Sequence, residues 1–218
     1  MTVSLIGTAS VAATSITLPS HSAGDLIVAA AWRSSTADIT APSGWSILHD
    51  GKNFSTQTMY LYYMIAESAA ESLGVVADAE ILAAHVWRDS DNYIYPGAAS
   101  NSGANSRFPN YAAFIRSYHL RGTSLVAGFC CSRSNIGDLG SNAPSGWTSQ
   151  TQTTNANGEL ASHTKDVAAS VLESNSTIAT LDVAAAYQSC GYEILDTGIL
   201  KSGGGGLMKI GQGGGYNG

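Results

Sequence analysis

The pentapeptide Ala-Pro-Ser-Gly-Trp occurs twice in this chain, at residues 41–45 and again at 143–147. An apolar stretch precedes each copy, and the interval between stretch and pentapeptide is three residues longer in the second copy. After each copy come residues typical of a strand pair and then a closing apolar strand. The same order of elements therefore appears twice, which predicts a tandem repeat of about 100 residues.

Short apolar runs bounded by turn residues predict β-strands throughout the chain. In the run 58–65, period-two alternation sends Met59, Leu61, Tyr63 and Ile65 to one face and Tyr60, Tyr62 and Met64 to the other. Both faces are apolar, which indicates an inner strand. Residues 1–15 are interpreted as the first strand, and further runs lie at 25–32, 79–87, 123–131, 175–187 and 191–196.

Helical signals are weak by comparison. Segments 66–73 and 164–174 have helical composition, but they are shorter than the roughly 12 residues that a surface helix usually needs. They are expected to form strand ends with turns, or single-turn helices. The pattern thus favours an all-β fold, a β-sandwich or jelly-roll-like architecture built from two similar halves.

Composition also indicates where one structural unit of the chain ends and the next begins. The segment 91–110 is rich in Asn, Ser, Gly and Pro, which is typical of a joint between units. The expected organisation is a first sandwich half at 1–96, a linker or arm at 97–110, a second half at 111–201 and a glycine-rich tail at 202–218.

The tail contains nine glycines in its seventeen residues. Glycine loses more backbone entropy on ordering than any other residue, so an ordered tail would need a partner to hold it. The candidate partner-anchoring residues are the large apolar side chains of the tail: Leu207, Met208, Ile210 and Tyr216.

The repeated pentapeptide is expected to form a corner of the fold in each half. Proline stiffens the approach, serine and glycine allow the turn, and the tryptophan caps a core. The residues of these two corners are Pro42, Gly44, Trp45, Pro144, Gly146 and Trp147. The alternative use of tryptophan, stacking on a sugar, requires exposed rings.

Motifs for catalysis and cofactor binding are absent from the sequence. No G-x-S-x-G nucleophile elbow occurs. The histidines at 21, 49, 85, 119 and 163 have no metal-ligand spacing, and no pair of acids is singled out for glycoside hydrolysis. The sequence therefore predicts no catalytic residues, no metal and no cofactor.

Charge, apolar runs and cysteine spacing indicate which partners and which thiol chemistry to expect. The formal net charge is −6 and the ten Lys and Arg residues are scattered, which disfavours nucleic acid as a partner. No apolar run has the length of a membrane helix, and the N-terminus lacks the basic region of a secretory signal. Cys130, Cys131 and Cys190 fit neither a disulfide framework nor a metal site, so they are expected to be buried free thiols.

The chain resembles a family of β-sandwich modules found in bacteriophage virion proteins, tail fibres and bacterial surface proteins. The matching stretches are SITLPSHSAGDLIVAAAW, APSGWSIL and MYLYYMIA in the first half, and APSGWTSQ and ELASHTKDVA in the second. The resemblance implies a non-enzymatic virion or surface component, often oligomeric. The expected location is the virion, after assembly in the host cytoplasm.

Within that family the expected function is that of a head decoration or cement protein, which stabilises a capsid through inter-subunit contacts. Its partners would be the major capsid protein or tail proteins, together with further copies of itself. The alternatives are a tail fibre and a carbohydrate-binding receptor or adhesion module with a glycan ligand, and a hydrolase comes third.

Overall fold

The computed structural model describes residues 3–54, 56–88, 99–107, 109–111, 114–115, 123–133, 138–141, 143–168, 172–173, 176–177 and 184–195. Nearly all of the regular structure in these residues is antiparallel β-sheet, which confirms the all-β sandwich.

The first half of the chain forms one five-stranded sheet, called sheet 1. Its strands stand in the order β1-β5-β2-β4-β3, so β1 and β3 are its edges. The strands are β1 (Ser4–Val11), β2 (Leu26–Arg33), β3 (Ser46–Phe54), β4 (Gln57–Ile65) and β5 (Ile81–Arg88).

The second half forms sheet 2, with the order β10-β11-β9-β14-β6. These strands are β6 (Ala99–Ser106), β9 (Thr123–Ser132), β10 (Thr148–Asn155), β11 (Gly158–Ala168) and β14 (Ala185–Leu195). Four two-residue strands and one helical turn complete the list: β7 (Asn110–Tyr111), β8 (Phe114–Ile115), α1 (Asp138–Ser141), β12 (Leu172–Glu173) and β13 (Ser176–Thr177).

The two sheets are built alike, strand by strand. Read from its other edge, sheet 2 has the order β6-β14-β9-β11-β10, so these strands correspond to β1, β5, β2, β4 and β3 of sheet 1. The residue pairing matches as well: Leu26 pairs with Trp87 in sheet 1, as Leu125 pairs with Ile194 in sheet 2. A bulge also lies at the same place in each half, three residues after the pentapeptide tryptophan.

The sheets stack face to face with a pseudo-twofold axis between them. β1 lies against β10, β5 against β11, β4 against β14 and β3 against β6. When each strand is replaced by its counterpart in the other sheet, the β1–β10 contact becomes the β6–β3 contact, and the β5–β11 contact becomes the β14–β4 contact. The axis therefore runs along the strand direction between the central strands β2 and β9. Each repeat supplies one sheet of a single sandwich, and consecutive large strands stay within one sheet.

Three hydrophobic clusters follow from this arrangement. The inter-sheet core combines the inner faces of both sheets, with Trp32, Leu61 and Trp87 from sheet 1 and Phe129 and Tyr192 from sheet 2. A first outer cluster covers the outer face of sheet 1 with loop residues such as Ile39 and Leu73, and a second outer cluster lies on the outer face of sheet 2. On β4, Met59 and Leu61 lie in the inter-sheet core, and Tyr60 and Tyr62 lie in the first outer cluster, as the alternation predicts.

The segment 97–110 differs from the expected linker, because it contributes β6 to the edge of sheet 2. β6 pairs with β14 and is the counterpart of β1, so the second repeat begins there rather than at residue 111. Small residues are needed in this strand: a Cβ at Gly103 would lie 2.6 Å from a ring carbon of Tyr187. Composition typical of a linker is here the composition of a close-packed edge strand.

The expected strand at 175–187 is only partly covered by the described residues. Within it the described strand residues are Ser176–Thr177 and, from Ala185 onward, the start of β14. β14 continues without a break through the second expected run to Leu195. The segment 66–73 forms turns, as expected, whereas the helical turn α1 was not anticipated.

Candidate functional site

The two pentapeptides adopt the same β-turn. The amide of Trp45 donates to the carbonyl of Pro42 at 3.2 Å, and the amide of Trp147 donates to that of Pro144 at 2.8 Å. The intervening glycines have φ of +83° at position 44 and +79° at 146, a backbone region that suits glycine and is typical of a type II turn. The sequence identity of the pentapeptides is therefore matched by identity of backbone geometry.

The tryptophans of both turns are buried on the outer faces of the sheets, not in the inter-sheet core. Trp45 lies in the first outer cluster, and its indole nitrogen donates to the carbonyl of Ser72 at 3.2 Å. Trp147 lies in the second outer cluster, stacked on Tyr111 with ring centroids 4.7 Å apart. Each turn thus fixes a loop over the outer face of its own sheet.

A polar network crosses the inter-sheet core at His85. This histidine is fully buried on β5, and its Nδ1 lies 2.9 Å from the hydroxyl of Tyr192 while its Nε2 lies 2.8 Å from that of Ser162. Ser162 in turn contacts the Thr151 hydroxyl at 2.7 Å. The network therefore connects one strand of sheet 1 with three strands of sheet 2.

His85 and Tyr192 are equivalent positions in the two repeats. In sheet 1 His85 pairs with Val28 of the central strand, and in sheet 2 Tyr192 pairs with Ala127 at the matching position. The pseudo-twofold axis relates these two positions to each other, so a contact between their side chains crosses the axis. The hydrogen bond between them therefore lies at the axis, where the two repeats meet.

A second network lies on the outer face of sheet 2. Nε2 of His163 donates to the carbonyl of Leu139 at 2.9 Å, so Nδ1 accepts the hydroxyl proton of Tyr111 at 2.9 Å. The equivalent position in sheet 1 is Tyr62, whose hydroxyl donates to the carbonyl of Ile39 at 3.3 Å. Both side chains hold the loop that leads to the pentapeptide of their own half.

Burial determines the protonation of these histidines. Removal from water lowers the pKa of His85 to about 3, with a further lowering from the nearby His163. Burial also lowers the pKa of His163 to about 4, although the hydrogen bond to the carbonyl of Leu139 opposes the shift. Both rings are neutral at physiological pH, and each uses both nitrogens in bonds inside the protein.

The three cysteines are free and buried, as their spacing indicated. Burial raises the pKa of all three thiols well above the ordinary value, so none is a thiolate at neutral pH. A thiol in this state is a poor nucleophile, and these side chains act as small apolar groups.

Two of the described acidic residues, Glu80 and Glu159, are used in hydrogen bonds within the fold. Glu80 accepts bonds from the Ser34 hydroxyl at 2.7 Å and from Asn157 at 2.8 Å, at one end of the sandwich. Glu159 is buried on sheet 2 and accepts the Leu139 amide at 3.3 Å. Asp89 and Asp91 fall outside the described residues, as does the side chain of Glu173.

Two polar contacts close the ends of the sandwich and were not anticipated from the sequence. Asp25 forms a two-pronged ion pair with Arg88, at 2.9 and 2.8 Å. Burial alone would raise the pKa of Asp25, but the bonds from Arg88 and Ser22 outweigh it and lower the pKa. At the other end Arg133 donates to the carbonyls of Ser34 and Thr56, at 2.9 and 3.2 Å.

Several candidate positions remain unplaced. Leu207, Met208, Ile210 and Tyr216, which we expect to anchor a partner, lie outside the described residues, as does His119. Within the part of the chain that the structure describes, no cluster of three or more metal-ligating side chains occurs. No described helix has both the length and the apolar character needed to span a bilayer.

Comparisons with protein-family models, with curated protein sequences and with solved structures found no match to this chain.

Proposed function

We propose that the protein is a non-enzymatic structural component of a bacteriophage virion, and specifically a head decoration protein that stabilises the capsid through contacts between subunits. The observation that supports this proposal is the structural use of reactive side chains. His85 joins the two sheets, His163 holds a loop, and the thiols are buried in the cores.

The surface and the edges of the sandwich also support an assembly role. Only 12% of the residues are charged, so the surface is rich in hydroxyl, amide and backbone groups. Each sheet ends in two edge strands, whose outward backbone groups can pair with another chain. A protein that works by covering a junction between subunits needs such extended polar contact.

The glycan-binding alternative relies on exposed aromatic rings. All four tryptophans are buried, among them Trp45 at 8% exposure and Trp147 at 6%. The four tryptophans thus pack the fold instead of offering a stacking platform, which favours the structural role.

The decisive experiment is quantitative mass spectrometry of purified particles of the phage that encodes the chain. A decoration protein is expected in fixed proportion to the major capsid protein, and a mild wash that leaves tails attached should release it without loss of tail proteins. A few copies that fractionate with tails would instead indicate a fibre, and absence from particles would refute the virion role.

The tail segment gives a second test of the same proposal. A chain that ends at residue 201 should bind to undecorated capsids with reduced occupancy and an unchanged circular dichroism spectrum. Replacement of Leu207, Met208, Ile210 and Tyr216 by serine should reproduce the loss, while removal of residues 217–218 alone should not. Full occupancy after the long deletion would remove the segment from the attachment mechanism.

A further inference from the structure

One side of the sandwich has two adjacent edge strands without a single charged residue. This side, called side I, consists of β1 (SLIGTASV) and β10 (TSQTQTTN), which are the stacked edges of sheets 1 and 2. Ser10 and Thr153 join the two edges through their hydroxyls at 2.7 Å. Among the described strands, none pairs with the outer edge of either β1 or β10.

Of the usual protections of edge strands, side I has bulges but neither charge nor proline in β1 and β10. Natural proteins guard open edges with charged side chains, proline or bulges. Each strand of side I has one bulge, near Ile6 and near Gln150, and beyond it the pairing is regular through Gly7–Val11 and Thr151–Asn155. Two parallel runs of five regular residues therefore present backbone groups that no described strand pairs with.

The opposite side of the sandwich is guarded, although the pseudo-twofold axis makes it the counterpart of side I. This side, called side II, consists of β3 and β6. β3 has the sequence SILHDGKNF, with an aspartate and a lysine, and the exposed Arg107 follows β6 directly. Two sides of common origin thus differ in charge.

We infer that side I is a self-association surface, and that its occupant is side I of a second copy of this chain. A twofold axis perpendicular to the sheets, passing near Ser10 and Thr153, would pair β10 with β10 and β1 with β1, both antiparallel. Two continuous ten-stranded sheets would result. Identical uncharged strands meet without like-charge repulsion, and their hydroxyl side chains can hydrogen-bond with one another across the antiparallel contact.

This inference is independent of the proposed virion role. Mass spectrometry of particles tests where the protein resides, and the solution experiment below tests only how two purified copies interact. Each idea can fail while the other stands.

The test uses the purified full-length chain and sedimentation velocity over a series of protein concentrations. Thr154 is exposed on β10, and in a pair centred on Thr153 it faces Gln152 of the second copy. The two copies of position 154 then lie about 7–8 Å apart on the diagonal. The wild-type chain is expected to be a dimer, and both T154K and T154E are expected to be monomers.

Mixing the two variants provides the sharpest readout. An equimolar mixture of T154K and T154E should recover the dimer, because the introduced charges are now opposite. The matched control is S46K, at an exposed position of β3 on side II, which should remain dimeric. Circular dichroism of each variant verifies the fold.

The inference is overturned by any of four results: a wild-type chain that stays monomeric at the highest concentration, T154K and T154E variants that stay dimeric, a mixture that stays monomeric, or an S46K variant that loses the dimer. The last of these would assign the contact to side II.

Discussion

The two halves of this sandwich share a backbone plan and differ in the chemistry of their side chains. Strand order, pairing and the pentapeptide turn are the same in both. At equivalent positions, however, Leu61 of sheet 1 corresponds to Ser162 of sheet 2, and Val86 corresponds to Glu193. Turns and strand pairing thus specify the architecture. Equivalent buried positions can hold different residues, provided that the polar groups find hydrogen-bond partners.

The largest predicted effect is a loss of folding stability in acid, caused by one buried histidine in each half. His85 and His163 have folded pKa values of about 3 and about 4, below the ordinary 6.5, so the unfolded chain binds protons first as the pH falls. The contribution of these two histidines to stability should be nearly constant well above pH 6.5 and decrease below it, by up to about 1.4 kcal/mol per pH unit for each histidine. Urea unfolding between pH 4 and 8 measures this slope.

Glutamine variants separate the two contributions. His85→Gln and His163→Gln should each remove about half of the slope between pH 6.5 and 4, and the double variant should lose most of it. A slope that persists in the double variant would assign the acid response to other groups.

The inter-sheet core should respond unequally to truncation at equivalent positions. Trp32 pairs with Ile81, and its counterpart Cys131 pairs with Gln188. Trp32→Ala should cost about 3–5 kcal/mol of unfolding free energy, because it leaves a large cavity. Cys131→Ala should cost about 1 kcal/mol, comparable to one buried methylene group. Equal losses would contradict the unequal packing.

The repeated turn should respond equally in both halves. Gly44→Ala and Gly146→Ala should each cost about 1–2 kcal/mol, because a Cβ disfavours positive φ and no close contact adds to the penalty. Asparagine tolerates this backbone region better, so Gly→Asn at either position should cost less. A large difference between the two halves in thermal unfolding would show that the turns are not equivalent.

The contact between halves at the sandwich end should give the smallest effect. Arg133→Ala removes two bonds to carbonyls of sheet 1 at an exposed site, for an expected loss of about 0.5–1 kcal/mol. Ser145→Ala, at an exposed position in the turn of the same half, is the control and should stay within about 0.5 kcal/mol of wild type. An unaltered midpoint for Arg133→Ala would mean that solvent replaces these bonds fully.

Much of the fold could be predicted from the sequence, since short-range patterns carry it. The two faces of β4 follow from alternation, and the repeated order of elements follows from the two pentapeptides. β6 was missed because its pairing depends on β14, more than 75 positions away, and not on its own composition. The His85 network was missed for the same reason: its Tyr192 partner is 107 positions away.

The sequence by itself determined that the chain is β-rich, that it contains a repeat and that a proline-glycine turn recurs. These features depend on backbone preferences within a few residues. Only the tertiary structure decided that the repeats stack as two sheets of one sandwich, that the pentapeptide tryptophans cover outer faces, and that side I is uncharged along both edges. Those features depend on which faces of the two sheets pack against each other. This packing involves strands that are far apart in the chain, so local sequence patterns do not specify it.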